Sequence, residues 1–160
     1  MKAPKTKPKK KVTVSQEMEK AAVLLQKLVR LKAADLNGIC ECVTCGVKKH
    51  YKMMDGGHFY GRTHRVFMLM EEQINPQCKA CNMFNMKRTR TQERYRIYME
   101  DMYGVRRIKA MNRLSFRDQP KFKMSDVLAF KTEVKKQIRS QLIRLGEYKE
   151  TQMKLRYPKK

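Results

Sequence analysis

Apolar residues recur at helical spacing in three stretches of the chain. From about Ser15 to Asp35, Met18, Ala21, Leu25, Leu28 and Val29 line one face of a helix that Ser15 is placed to cap and Gly38 to stop. From about Thr91 to Tyr103, Tyr95, Tyr98, Met99 and Met102 share a face, and Gly104 terminates the run. A third stripe begins after Ser125 and carries Val127, Phe130, Val134, Ile138 and Leu145, with Lys131, Lys135, Lys136 and Arg139 on its other side. Each reads as a core-facing stripe backed by a solvated face.

Residues 40 to 90 have a different texture. They hold all five cysteines and all three histidines, and the segments "HYKMM" and "HRVFMLM" are short enough to be strands. Gly46, Gly56, Gly57 and Gly61 punctuate the region as turns. The first eleven residues, MKAPKTKPKKK, contain nothing that could be buried and are expected to be disordered.

At 160 residues, with 41% hydrophobic residues, the chain has the size of one domain with tails. With no Trp and 8% aromatics the core is expected to be thin, so that a metal would help to fix it. The formal net charge is +23, and without the six lysines of the first eleven residues the remainder still carries +17. The basicity therefore belongs to the folded part as well as to the tail, which points to nucleic acid as the partner. No apolar run is long enough to span a bilayer and no signal-peptide core follows the N-terminal lysines, so no membrane role is expected.

Five cysteines are a poor basis for a disulfide framework. Cys42-x-x-Cys45 and Cys78-x-x-Cys81 instead present two knuckles to one tetrahedral ion, for which four thiolates select zinc or iron; zinc in a closed, structural site is the reading taken. Cys40 is the spare and an alternative to Cys42 as ligand. Such a site suits a reducing cytoplasm. The order knuckle, short strands, second knuckle and "NMFNMKR" reads as a ββα unit whose helix starts at the second cysteine pair, with His58 on the hairpin and Asn82 and Asn85 on the helix across a small cleft. From the residues alone, a single histidine in a zinc-stapled loop is either a structural hydrogen-bonder or a base. Arg62, Arg65, Lys87, Arg88 and Arg90 flank the expected cleft and are candidate phosphate contacts. Tyr51, Phe59 and Tyr60 are better placed for core packing than for base stacking.

The motifs "CVTCG", "DGGHFYGR" and "EEQINPQCKACN" resemble HNH-type nucleases with a four-cysteine zinc, and more narrowly the bacteriophage NinG family. The likeness extends through "RYRIYMEDMYGVRRIKAM" and "KFKMSDVLAFKTEVKKQI" and covers most of residues 35 to 145. It implies an α+β, mostly helical protein: a basic tail over 1–14, an N-terminal helix over 15–38, a zinc-stapled treble-clef or HNH-like module over 39–90, a helical part over 91–150 and a basic tail over 151–160.

The resemblance further implies metal-dependent hydrolysis of DNA at branched recombination intermediates such as Holliday junctions and D-loops. In it His58 is the general base that activates water, Asn82 a ligand of a catalytic Mg2+ or Mn2+, and Asn75, in preference to Gln73, the residue that positions the loop bearing His58. Many HNH sites carry an acid directly before the histidine; Gly57 stands there, and Asp55 reaches the metal only if the two glycines make a tight bend. Homodimerisation and recombination-protein partners fit the same picture, in the host cytoplasm for a phage-encoded chain. The competing readings are a non-catalytic zinc-stapled DNA-binding protein and, more remotely, an RNA-binding protein.

Overall fold

A computed structural model describes residues 11–85, 88–117 and 119–147 of the chain. The first ten residues and the C-terminal basic tail expected from the sequence lie outside them. The fold is α+β and mostly helical, with two small two-stranded sheets.

Helix α1 (Val14–Ala33) is capped by Thr13, not by Ser15. The Thr13 hydroxyl accepts from the Gln16 N–H at 3.3 Å, and the Gln16 side-chain oxygen accepts from the Thr13 N–H at 3.0 Å. This reciprocal box needs a Glu or Gln three residues after the cap, which Thr13 has and Ser15, followed by Met18, does not. After the helix, the Asp35 carboxylate accepts from the N–H groups of Asn37 and Ile39, and Gly38 takes φ +77° to turn the chain.

The apolar face of α1 is covered along its length by helix α5 (Met124–Arg144), through Val127, Val134 and Ile138. Glu17 of α1 pairs with Lys131 of α5. At the far end the Arg144 guanidinium donates to the carbonyls of Leu31 and Ala34 at 2.7 and 2.9 Å, tying the C-terminal end of α1 to α5.

Strands β1 (Ile39–Glu41) and β2 (Lys48–His50) form an antiparallel hairpin, as do β3 (Met54–His58) and β4 (Ile74–Cys78), the latter in the register Met54↔Cys78 to His58↔Ile74. "HYKMM" is thus not one strand: a 3₁₀ turn at Tyr51–Met53 separates β2 from β3. "HRVFMLM" is not a strand either; it contains the short helix α2 (Arg65–Met68). Phe67 and Met68 are both buried, which helical geometry allows and strand alternation does not. The second strand is instead "INPQC", all five residues of which are buried.

A single π-helical turn, Ala80–Phe84, replaces the helix expected after the second knuckle. The next full helix is α3 (Thr89–Tyr103). Gly104, at φ +79°, ends it and opens α4 (Val105–Ser115), whose Ile108 and Met111 pack with Tyr95, Met99 and Phe67 in a second core. Met102, expected on the buried face of α3, is exposed. Among the described residues, no helix is long and apolar enough to cross a membrane.

Candidate active site and metal centre

Each knuckle lies where a hairpin strand ends. Cys42 and Cys45 belong to the turn between β1 and β2, where Gly46, at φ +75°, closes the bend and its N–H donates to the Cys42 carbonyl at 2.8 Å. Cys78 is the last residue of β4, and Cys81 lies in the π-helical turn that follows. The Val43 N–H donates to the Pro76 carbonyl at 3.0 Å and so sews the first knuckle to β4. The four sulfur atoms lie within 4.8 Å of one another.

Cys45 Sγ and Cys78 Sγ are 3.8 Å apart. That is the edge of a tetrahedron built on Zn–S bonds of ~2.3 Å, so the four cysteines could hold a zinc ion. Burial pushes the Cys81 and Cys45 thiols up. Cys40 is buried in β1, outside this cluster.

The second site lies at the outer edge of β3. A cleft of about 490 Å³ is lined by Gln26 of α1, by Asp55, Gly56 and His58 of β3, by Gly61 and Arg62 of the next loop, and by Asn82 and Met83 of the π-helical turn. Four residues singled out from the sequence, Asp55, His58, Arg62 and Asn82, therefore meet in one cavity. The Asn82 side-chain amide donates to Asp55 Oδ2 at 3.1 Å.

Gly56 and Gly57 make no tight bend, since both are extended within β3 and neither has positive φ. Their role is close approach. A Cβ on Gly56 would lie 2.6 Å from Gln26 Cβ, and one on Gly57 would lie 1.8 Å from the Gln77 side-chain oxygen. Asp55 and His58, three apart, alternate to opposite faces of the hairpin and share the cleft because it runs along the open edge of the strand.

His58 Nε2 is buried and has no hydrogen-bond partner among the described residues. Burial, reinforced by the charge of Arg62 and opposed by the Met68 backbone, lowers the imidazole pKa to about 4. At neutral pH the ring is uncharged and Nε2 is free to accept a proton.

A family model described as Bacteriophage Lambda NinG protein matches residues 1–143. The chain belongs to the NinG family. The NinG match embraces both knuckles, the whole cleft and all but the last residue of α5. Membership places the chain in a phage recombination-associated family. No curated protein and no solved structure matches the chain significantly.

Other NinG residues singled out from the sequence lie elsewhere. Asn75 does not line the cleft: it faces α3, donating to Tyr95 Oη and Met99 Sδ and accepting from Tyr98 Oη, each at 3.3 Å. Arg65 reaches Met18 Sδ on α1 and does not line the cleft. Arg88 and Arg90 are exposed at the start of α3, and Lys87 lies outside the described residues. The two glutamates that open the "EEQINPQCKACN" motif, Glu71 and Glu72, form surface pairs with Lys32 and Arg107. Tyr51, Phe59 and Tyr60 pack into the protein, Tyr60 stacked on Phe67 at 4.5 Å.

One supporting residue, Gln73, was set aside in favour of Asn75 in the sequence reading, and two more, Tyr95 and Gln26, were given no site role there. Gln73, fully buried, accepts from the Tyr60 N–H at 2.9 Å and donates to the Phe67 carbonyl, bracing the loop after His58. Tyr95 donates to the Gly57 carbonyl at 2.7 Å, directly beside His58. Gln26 forms the α1 wall of the cleft. Only the spacing of Tyr95 on its helix face was visible beforehand.

Proposed function

We propose that this protein is a metal-dependent DNA endonuclease of the HNH type, acting on branched recombination intermediates such as Holliday junctions and D-loops, with the four-cysteine site as a structural zinc centre. The observation that carries the reading is an uncharged His58, its buried Nε2 without a partner among the described residues, lining a cavity that it shares with Asp55, Asn82 and Arg62.

In this mechanism Arg62 binds the scissile phosphate. His58 Nε2 takes a proton from a water molecule whose oxygen attacks phosphorus; the new P–O bond forms as the bond to the 3′ oxygen breaks, and that oxygen is protonated by solvent. Asp55 and Asn82 supply oxygen donors that suit Mg2+ or Mn2+, which characteristically take one or two carboxylates and complete their shell with water and substrate phosphate. The bound cation would stabilise negative charge on the phosphorane and on the leaving oxygen. Asn75 acts one layer behind, fixing β4 to α3 opposite Gly57. The net charge of +23 supports phosphate binding independent of base sequence.

The test compares cleavage and binding of a labelled four-way junction and a linear duplex by wild type and His58→Ala, in Mg2+ and in Mn2+. Junction cutting by wild type alone, with both proteins bound, is expected. Binding by both with cutting by neither would leave a zinc-stapled DNA-binding protein.

A further inference from the structure

Two large apolar side chains stand in solvent at the lip of the cleft. Met83, 66% exposed, lines the cavity beside Asn82, and its neighbour Phe84 is 75% exposed. Both belong to the π-helical turn Ala80–Phe84, which the Asn85 N–H closes onto the Ala80 carbonyl at 2.9 Å. The turn is anchored at one end by Cys81 in the metal centre, and Asn82 ties it to Asp55. Two consecutive exposed apolar residues on an anchored turn are costly in water, and neither belongs to the three buried clusters.

Their surroundings decide what they meet. Exposed Lys79, Arg62 and Arg88 lie on the same turn, across the cleft and just beyond the turn in sequence, so an approaching surface must be anionic at its rim and apolar at its centre. A DNA branch point answers that description: phosphates surround base pairs whose stacking is interrupted and whose faces are open. We infer that Met83 and Phe84 form a wedge that inserts at the branch point, Phe84 stacking on a freed base, and so places the neighbouring phosphate in the cleft. Proteins that unstack DNA use apolar side chains of this kind, Phe and Met among them, beside basic phosphate contacts.

The inference rests on the cleft being the place where DNA binds, and it deepens that reading by naming what selects branched over linear DNA. It does not need the protein to cut. The wedge belongs to binding and positioning, with no part in proton transfer.

The experiment uses the full-length, zinc-loaded protein without added Mg2+ or Mn2+, so that binding is read apart from cleavage. A four-way junction carries 2-aminopurine beside the branch, and a linear duplex of the same sequence carries it at the same position. Wild type is expected to raise the fluorescence of the junction and not of the duplex. Met83→Ala with Phe84→Ala should abolish the rise and reduce the junction-to-duplex affinity ratio about tenfold, the size expected from losing one base–aromatic stack. Phe84→Trp should keep both, which a general loss of folding would not allow.

An equal response from wild type and the double variant overturns the wedge. So does a double variant with unchanged DNA response but a smaller oligomeric size by analytical ultracentrifugation, because the patch is then a contact between copies of the chain. A wild type that shows the fluorescence rise yet leaves the junction uncut when Mg2+ or Mn2+ is then added would overturn the nuclease reading and leave the wedge standing.

Discussion

Gly56→Ala should weaken the joint between β3 and α1 while changing no polar group of the cleft. The added Cβ would lie 2.6 Å from Gln26 Cβ and 2.8 Å from Gln26 Cα. Carbon atoms make favourable contact at ~3.5–4.0 Å, so relief needs a shift of about 1 Å. A rotamer change moves only Gln26 Cγ, also at 2.8 Å, and cannot supply the shift, because Cβ and Cα are fixed to the helix backbone. Overpacking of this kind costs ~1–3 kcal/mol, and a backbone obstacle places the cost in the upper half of that range. Alanine returns ~0.4–1 kcal/mol by restricting the unfolded chain. A net loss of about 1.5–2 kcal/mol lowers Tm by about 3–8 °C for a protein of this size. Circular dichroism melting of the zinc-loaded protein measures it. Gly61→Ala is the control, since its Cβ would meet only Thr63 Oγ1, at 3.6 Å. Gln26→Gly in the Gly56→Ala background removes the nearer atom but leaves Cα, and should recover only part of the loss. Equal melting of Gly56→Ala and wild type would refute the close-approach reasoning.

Three further outcomes follow from the site. Between pH 6.5 and about 4 the unfolded chain binds a proton at residue 58 that the folded protein resists, so stability falls as pH falls through that window; urea unfolding should show wild type losing about 2 kcal/mol more than His58→Gln between pH 7 and pH 4.5, after allowance for partial exposure. An equal loss in the two proteins would mean that His58 is not held neutral by its surroundings. Zinc content by elemental analysis should be one ion per chain in wild type and Cys40→Ser and near zero in Cys42→Ser, with a loss of structure on the order of 10 kcal/mol in binding free energy; a zinc-free Cys40→Ser would reassign the ligand set. Tyr95→Phe leaves the Gly57 carbonyl and the Asn75 amide with one partner fewer in a buried setting, and should cost ~1–3 kcal/mol in urea unfolding, whereas Tyr98→Phe, which removes a longer bond nearer the surface, should cost less.

What could be read from the sequence was whatever depends on local spacing. Helices α1, α3 and α5 announced themselves because their stripes run for three turns or more. The cysteine set was legible because each knuckle is a local turn and four ligands close a tetrahedron. Strand β4 was hidden: its residues are all buried, so they do not alternate, and Pro76 counts against a strand until its pairing opposite Gly56 in a two-stranded sheet is known. Helix α4 was lost because Gly104, read as a stop, serves both helices. The two glycines before His58 were noticed, but for the wrong reason. Their need for empty space comes from Gln26 and Gln77, which no local pattern connects to them.

Those long-range contacts bear on the chemistry as well as on the fold. The Arg30 guanidinium of α1 donates to the carbonyls of Tyr51 and Met54 at 3.2 and 2.7 Å, fixing where β3 begins. Gly56 then lets the strand run against Gln26, and Tyr95 holds the Gly57 carbonyl, so His58 is presented from a strand secured on both sides. The other wall depends on the metal centre: Cys78 pairs with Met54 across the hairpin, Cys81 anchors the π-helical turn, and Asn82 follows at once and bonds Asp55. Only two residues separate the two cysteines of the second knuckle, so a ligand set that fails to close leaves the Asn82 wall attached at one end only. A zinc ion on the four cysteines would in this way govern the cleft, and zinc loss should release Asn82 from Asp55 before it disturbs the N-terminal half of the α1–α5 contact, where Met18, Val127 and the Glu17–Lys131 pair meet none of the four cysteines.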